Sequence, residues 1–207
     1  MNYQWNERKP GDTFVFGSYA PEGNFEKLPI TWQVLKKEED RMLVLSQKIL
    51  DLQPFHREEN PVRWEDCDLR QWLNSVFWNA AFTAEEQQLI CQPEANDDPL
   101  GEMLWQMFDL ETATSGISDR VFLLSQADIM NCFPCEDPFF PGAEAEDTEY
   151  VQNMGSSYDQ CWWLRSSMKN WAAAMIVSPC ASIGVSMIRE NNRQGVRPAM
   201  WVKLKEQ

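Results

Sequence analysis

The sequence predicts an α+β fold of short twisted antiparallel strands with two or so helices and long loops. Three observations carry that reading. Short apolar runs bounded by turn residues open the chain, as in "TFVFGSYA", "PITWQVLKK" and "RMLVLSQKIL". A middle stretch changes to a 3.6-residue apolar period. From Cys161 the chain returns to short strand-like runs, "CWWLRSS", "WAAAMIVSP", "ASIGVSMIRE" and "GVRPAMWVKL".

Taken in order, "GDTFVFGSYA" sets Phe14 and Phe16 among polar neighbours and is expected to stop at Gly17. "ITWQVLKKEEDRMLVLSQKIL" reads as two strands around a charged turn at 36–41. "WEDCDLRQWLNSVFWNAAF" places Leu69, Trp72, Leu73, Val76, Phe77 and Ala80 at helical spacing, with Asp66 or Asp68 positioned to cap the start. Thr83 and Glu86 form the Thr-x-x-Glu capping pattern, which predicts a second short helix from Ala84 to about Cys91. Acidic, proline-broken segments at about 92–118 and 134–158 read as loop insertions in a single domain spanning 1–207. The first holds an apolar cluster, Met103, Leu104, Trp105, Met107 and Phe108, expected to pack back onto the body. The second is expected to be functional or mobile. "DRVFLLSQ" at 119–126 echoes "DRMLVLSQ" at 40–47, so the two stretches are candidates for related places in the fold.

The chain has 207 residues and is 43% hydrophobic, ample for a packed core. Its 18 basic and 32 acidic residues give a net charge of −14, which opposes the phosphate neutralisation that nucleic-acid binding needs. No apolar stretch approaches the roughly 20 residues of a membrane span, and the start lacks a basic, then apolar, export pattern. A cytoplasmic location is therefore the expectation, with surface display only through a partner or larger assembly. The six cysteines are then expected to be reduced. "CFPC" at 132–135 has C-x-x-C spacing but no second such pair, and His56 is the single histidine, read as a solvated loop side chain. Neither a metal nor a cofactor is expected.

The order "PITWQVL", "VLSQKILDLQPF", "WEDCDLRQWLNSVFWNAAFTAEEQQLI", "DRVFLLSQ", "CWWLRSS", "NNRQGVRPAMWVKL" resembles an uncharacterised bacterial domain family marked by Trp-Trp-Leu-Arg-Ser and a terminal Gly-Val-Arg-Pro-Ala-aliphatic-Trp. That pairing of signatures is similar to the one in C-type-lectin-like domains of the branch shared by formylglycine-generating enzymes and the variable proteins of diversity-generating retroelements. The resemblance implies a C-type-lectin-like fold, with the terminal arginine segment as a core strand and the preceding loops as the ligand surface. In variable proteins the segment between the signatures is the mutagenised one, here 166–194. Relatives continue Leu-Arg-Ser with Pro-Gly and a serine-rich stretch; this chain instead has Ser167, Met168 and Lys169, and later the run 177–181. Unusual side chains over a kept framework fit a diversified surface and fit ordinary drift.

The structural signature residues are Trp162, Trp163, Arg165, Arg197, Pro198 and Trp201. Strand alternation sends Trp162 and Trp163 to opposite faces, one into the core and the other expected to support the ligand-face loops. Arg165 and Arg197 suit stacking on these indoles, and an anion-binding role in a cleft stays open. Ligand-contact candidates are Ser167, Lys169, Asn170, Trp171, Ser178, Ser182, Arg189, Glu190, Asn191, Asn192 and Arg193. Trp171 is either a contact aromatic or a core residue. No nucleophile with a base, metal cluster or phosphate loop is legible, so no catalytic residue is assigned. The expectation is a non-catalytic domain that recognises a protein or glycan through 166–194. The alternatives are an oxidase of the formylglycine-generating kind using Cys161 and Cys180, and a phage or structural assembly protein.

Overall fold

A computed structural model describes residues 5–24, 26–92, 110–111, 118–154 and 160–204. Two sheets organise it. The first is antiparallel throughout, in the order β1 (Thr13–Tyr19), β2 (Leu28–Lys37), β3 (Arg41–Ser46), β12 (Ala199–Lys203). In β2 the alternating residues Ile30, Trp32 and Val34 are buried, whereas the continuous apolar run of β3 is buried from Met42 onward, as befits a strand covered on both faces. β1 does not stop at Gly17. It runs through the glycine with a bulge, and a Cβ there would lie 2.8 Å from the Ala81 carbonyl and the Phe82 ring. The φ of +69° at this position also requires glycine.

The second sheet runs β10 (Ile183–Met187), β9 (Ala173–Val177), β8 (Trp162–Met168), β11 (Arg193–Val196), β5 (Asp51–Pro54), and β6 (Leu110–Glu111) pairs with the far end of β8. Its neighbours are antiparallel except β8 and β11. The two sheets share a ribbon. Residues 41–54 and 193–203 pair first as β5 with β11 and then as β3 with β12, changing sheet between. At that corner Leu50 N donates to the Val196 carbonyl at 3.0 Å and Ser46 N to the Pro198 carbonyl at 2.9 Å. A short parallel pair, β4 (Lys48–Ile49) with β7 (Glu146–Asp147), braces the same corner.

The predicted helix is present with a changed phase. α1 (Asp68–Trp72) passes through a π turn (Leu73–Phe77) into α2 (Trp78–Ala81). A π turn holds one more residue than an α turn, so the buried face moves along the sequence. Leu69 and Leu73 face the core as expected, but Phe77, Trp78 and Ala81 come next, and Val76 is exposed. The cap is Cys67, whose Sγ accepts from Arg70 N at 3.4 Å, rather than Asp66 or Asp68. Asp68 instead accepts from Arg57 N and pairs with His56 Nδ1 at 2.7 Å, so His56 is a held side chain and not a solvated one. The Thr83–Glu86 capping box forms and starts α3 (Ala84–Gln87), which ends well before Cys91. Glu86 also accepts from Gly17 N at 3.3 Å, satisfying the bulge.

Most of 92–118, including the predicted 103–108 cluster, lies outside the described residues. Its two ends meet, with Gln92 Nε2 donating to the Ser118 carbonyl at 3.1 Å. The second acidic segment carries regular structure where it is described. It contains β7 and α5 (Glu149–Asn153), and Phe140, Ala143 and Val151 enter the core cluster. α4 (Gln126–Cys132) begins at a second capping box, Ser125 with Asp128, in a stretch not expected to start a helix. No described helix is long and apolar enough to cross a membrane.

Candidate functional site

The signature residues form a framework. Trp162 and Trp163 point to opposite faces of β8, and both are fully buried. Trp162 donates from Nε1 to the Ala143 carbonyl at 3.1 Å, and Trp163 to the Gln53 carbonyl at 2.9 Å with its ring against Phe55. The second face is covered because β5 and the 55–64 region pack there.

Arg197 occupies the corner between the sheets. It is 1% exposed, and its guanidinium donates to the carbonyls of Ser46 at 2.7 Å, Ala143 at 3.0 Å and Glu144 at 3.5 Å while lying over the Trp162 ring. Burial pulls its pKa down to about 10, which leaves it charged at neutral pH. Pro198 comes next, at the turn into β12. Arg165 pairs with Asp128 at 3.0 Å over the Phe122 ring. Trp201 is half-buried, with Arg41 4.5 Å from its centroid. A guanidinium buried this fully on backbone carbonyls does not fit an anion-binding role in a cleft.

The predicted ligand residues do not gather on one surface. The segment 166–194 is mainly strands joined by tight connections, not loops. Ser167 is fully buried in β8, which removes it from any contact surface. Lys169, Asn170 and Trp171 occupy the β8–β9 turn, and Ile188 N bonds the Ala172 carbonyl at 2.7 Å, bringing Arg189 and Glu190 to that end. Ser178 and Ser182 lie at the opposite end of β9, about 17 Å away for a five-residue strand. Their hydroxyls serve their own turn, 2.7 Å apart, with Ser182 N donating to Ser178 Oγ. Asn192 is internal wiring as well, since its Nδ2 donates to Ser186 Oγ and the Met187 carbonyl. Arg193 starts β11 opposite Pro54; burial raises both the Asp51 carboxyl and the Tyr150 phenol, and the Arg193 charge only partly offsets it.

One exposed end is left. Trp171 is 65% exposed and is therefore not a core residue, and Val185 and Met187 are exposed on β10, at one edge of the second sheet. Arg189, Glu190 and Asn191 are exposed beside them in sequence.

The structure also holds a cleft that no sequence pattern announces. It opens between the end of β1, the start of β2 and α5, with a volume of about 360 Å³, inside the usual range for small-molecule sites. Tyr19, Tyr150, Glu26, Glu149, Asn24 and Asn153 are among its walls. At its base the Tyr19 hydroxyl donates to Asp51 Oδ2 at 2.5 Å, and Asp51 Oδ1 accepts from Leu52 N at 2.7 Å. Burial, then the Asp51 charge, raises the Tyr19 phenol, and burial raises the Asp51 carboxyl. The two walls lie far apart in sequence and meet through the β4–β7 pairing, which puts them beyond the reach of local patterns.

All six cysteines carry thiols. Burial pushes Cys67 up to about 12 and Cys132 up to about 11, which disfavours a thiolate at either. Cys180 is exposed, and the Ser178 and Ser182 hydroxyls hold it below the usual cysteine value. Cys161 is buried, its carbonyl accepting from Gly195 N at 2.8 Å.

A family described as a domain of unknown function, DUF6273, matches residues 39–204. The chain belongs to the DUF6273 family. The matched span starts just before β3 and takes in the corner ribbon, the helices and both signature segments, so β1 and β2 lie ahead of it. No curated protein and no solved structure matches this DUF6273 chain.

Proposed function

We propose that this DUF6273 chain is a non-catalytic recognition domain of C-type-lectin-like architecture. It engages a protein or glycan through the sheet end that carries Lys169, Asn170, Trp171, Arg189, Glu190 and Asn191. The observation that carries this reading is Trp171, a large aromatic left 65% exposed on a turn whose flanking strands are rooted in a buried core. A rigid indole offers wide contact area with little entropy to lose, and a binding loop is most precise when its scaffold is fixed. Met187 and Val185 extend the apolar area along β10.

The same division supports the diversified-protein reading in an amended form. Variation would be tolerated at 169–171, 185, 187 and 189–191, which face solvent, and not at Ser167, Ala173, Ala174 or Val177, which are buried. Two measurements test the proposal. The DNA flanking the gene is searched for a near-copy of the 166–194 segment that differs only at adenines beside a reverse transcriptase. Differences confined to the exposed positions support diversification, and differences spread over the buried ones refute it. Glycan and protein arrays probed with the wild type and with Trp171→Ala test the surface itself. A hit whose affinity falls at least tenfold in the variant supports it, as expected for an aromatic anchor. Equal binding by the two proteins overturns it.

A further inference from the structure

The cleft beside α5 is separate from the Trp171 end and has a chemistry of its own. Its rim carries two carboxylates, Glu26 and Glu149, both exposed and neither in an ion pair among the described residues. Lys27, next to Glu26, turns away and donates to the Ala80 carbonyl at 2.6 Å. Arg193 does not line the cleft; its charge reaches Asp51 and Tyr150, where burial outweighs it. No lysine or arginine lines the cleft among the described residues. Two phenol rings, Tyr19 and Tyr150, form part of the wall, and the side chains of Leu28 and Met154 stand 46% and 43% exposed at its edge. An inner extension of about 30 Å³ is lined by Thr148, whose Oγ1 is buried with no partner among the described residues.

We infer that this cleft binds a small alkyl cation, an ammonium or guanidinium on a short aliphatic chain. The carboxylates attract the charge, the partly exposed Tyr150 supplies an aromatic wall beside it, and Leu28 and Met154 cover the methylenes. The net charge of −14 draws such a ligand toward the protein. An anion is disfavoured, because it would meet two carboxylates with no facing cation among the described residues.

Calorimetric titration of the full chain at low salt with butylammonium and butylguanidinium tests the assignment, with butanol as the neutral control. Both cations are expected to bind in the millimolar range, more weakly as salt is added, while butanol gives no saturable heat. Glu149→Gln and Glu26→Gln should each weaken the cations about two- to fivefold, the scale of a partly exposed ion pair. Glu39→Gln, on the β2–β3 turn away from the cleft, should leave them unchanged. These surface amide variants keep the size and shape of the parent side chains and should not disturb folding. Equal binding of butanol, absence of saturable binding by either cation, or unchanged affinity in both cleft variants would overturn the proposal. None of these results bears on the Trp171 surface.

Discussion

Residues 40–47 and 119–126 carry nearly the same sequence, Asp-Arg-Met-Leu-Val-Leu-Ser-Gln and Asp-Arg-Val-Phe-Leu-Leu-Ser-Gln, and they lie on opposite sides of β12. Ala199 is paired with Leu45 on one side and bridged to Phe122 on the other. In each copy the arginine sits over an indole, Arg41 at 4.5 Å from Trp201 and Arg120 at 5.2 Å from Trp78. After the serine they part. Ser46 Oγ donates to the Lys48 carbonyl and the chain turns the corner toward β5. Ser125 Oγ accepts from Asp128 N, Asp128 accepts back from Ser125 N at 2.7 Å, and a helix starts. The position three residues past the serine holds Ile49 in the first copy and Asp128 in the second. The apolar run thus lies beside β12 in both copies, and the residues beyond the serine differ where one copy turns a corner and the other starts a helix.

The largest effect is expected where the first copy meets the corner. Arg197→Met removes the charged donor from the Ser46 and Ala143 carbonyls and loses the Trp162 stack. About 3–5 kcal/mol of stability should be lost, at 1.5–3 kcal/mol for each hydrogen bond to a charged group. Urea unfolding measures it, and a loss below about 1 kcal/mol would mean that the corner does not depend on this arginine. Next comes a contrast between the two leading aspartates. Asp119 is buried and accepts from Trp64 Nε1 at 2.8 Å and Arg70 Nε at 2.7 Å. Asp40 is exposed, and its backbone carbonyl accepts from Leu204 N. Asp119→Ala should therefore cost about 3 kcal/mol, the lower end for breaking a buried charged contact. Asp40→Ala should stay within about 0.5 kcal/mol, as surface changes do. Equal losses in the two variants would show that the copies are held alike.

The echo itself is visible in the sequence, as are the strands of the first sheet and the Thr83 capping box, because each is written in neighbouring residues. Other features depend on contacts that no local pattern contains. Alternation predicts that Trp162 and Trp163 face opposite ways, but not that Phe55 closes the second face. Arg197 finds backbone carbonyls at Ser46, Ala143 and Glu144, and any residue type would present the same acceptors. The 134–158 segment reads as a loop because it is acidic and broken by prolines, yet Phe140, Ala143 and Val151 anchor it in the core. The candidate contact residues share polar or aromatic character and nearness in sequence, and the hairpin register sends Ser178 and Trp171 to opposite ends.

Asp128→Ala probes the divergence directly. It removes the reciprocal cap at Ser125 and leaves Arg165 without its 3.0 Å partner, so about 1–2 kcal/mol should be lost. Among the serines, Ser125→Ala should cost about 1 kcal/mol as a lost N-cap. Ser46→Ala, which caps no helix, should cost about half of that, the low end for one neutral hydrogen bond. Thermal unfolding of the two serine variants side by side gives the ratio. A ratio near one would mean that the capping box contributes nothing beyond a single hydrogen bond.

A final contrast distinguishes the two arginines by pH. Arg41 is also held by Glu38, at 2.7 Å, whereas Arg120 has no ion pair among the described residues. Burial raises the Glu38 carboxyl, but hydrogen bonds from Lys36 and Arg41 outweigh it and hold the group below the usual glutamate value. A carboxylate lowered in the folded state binds fewer protons there than in the unfolded chain, so its contribution is complete above the ordinary glutamate range. It fades as pH falls through the lower, folded value. Glu38→Gln should therefore cost less than about 1 kcal/mol at neutral pH, the scale of a partly exposed pair, and nothing once the wild-type carboxyl is protonated. Urea titrations of both proteins across the acid range measure the difference. A gap between wild type and variant that stays constant with pH would show that Glu38 acts through packing and that charge does not separate the two copies.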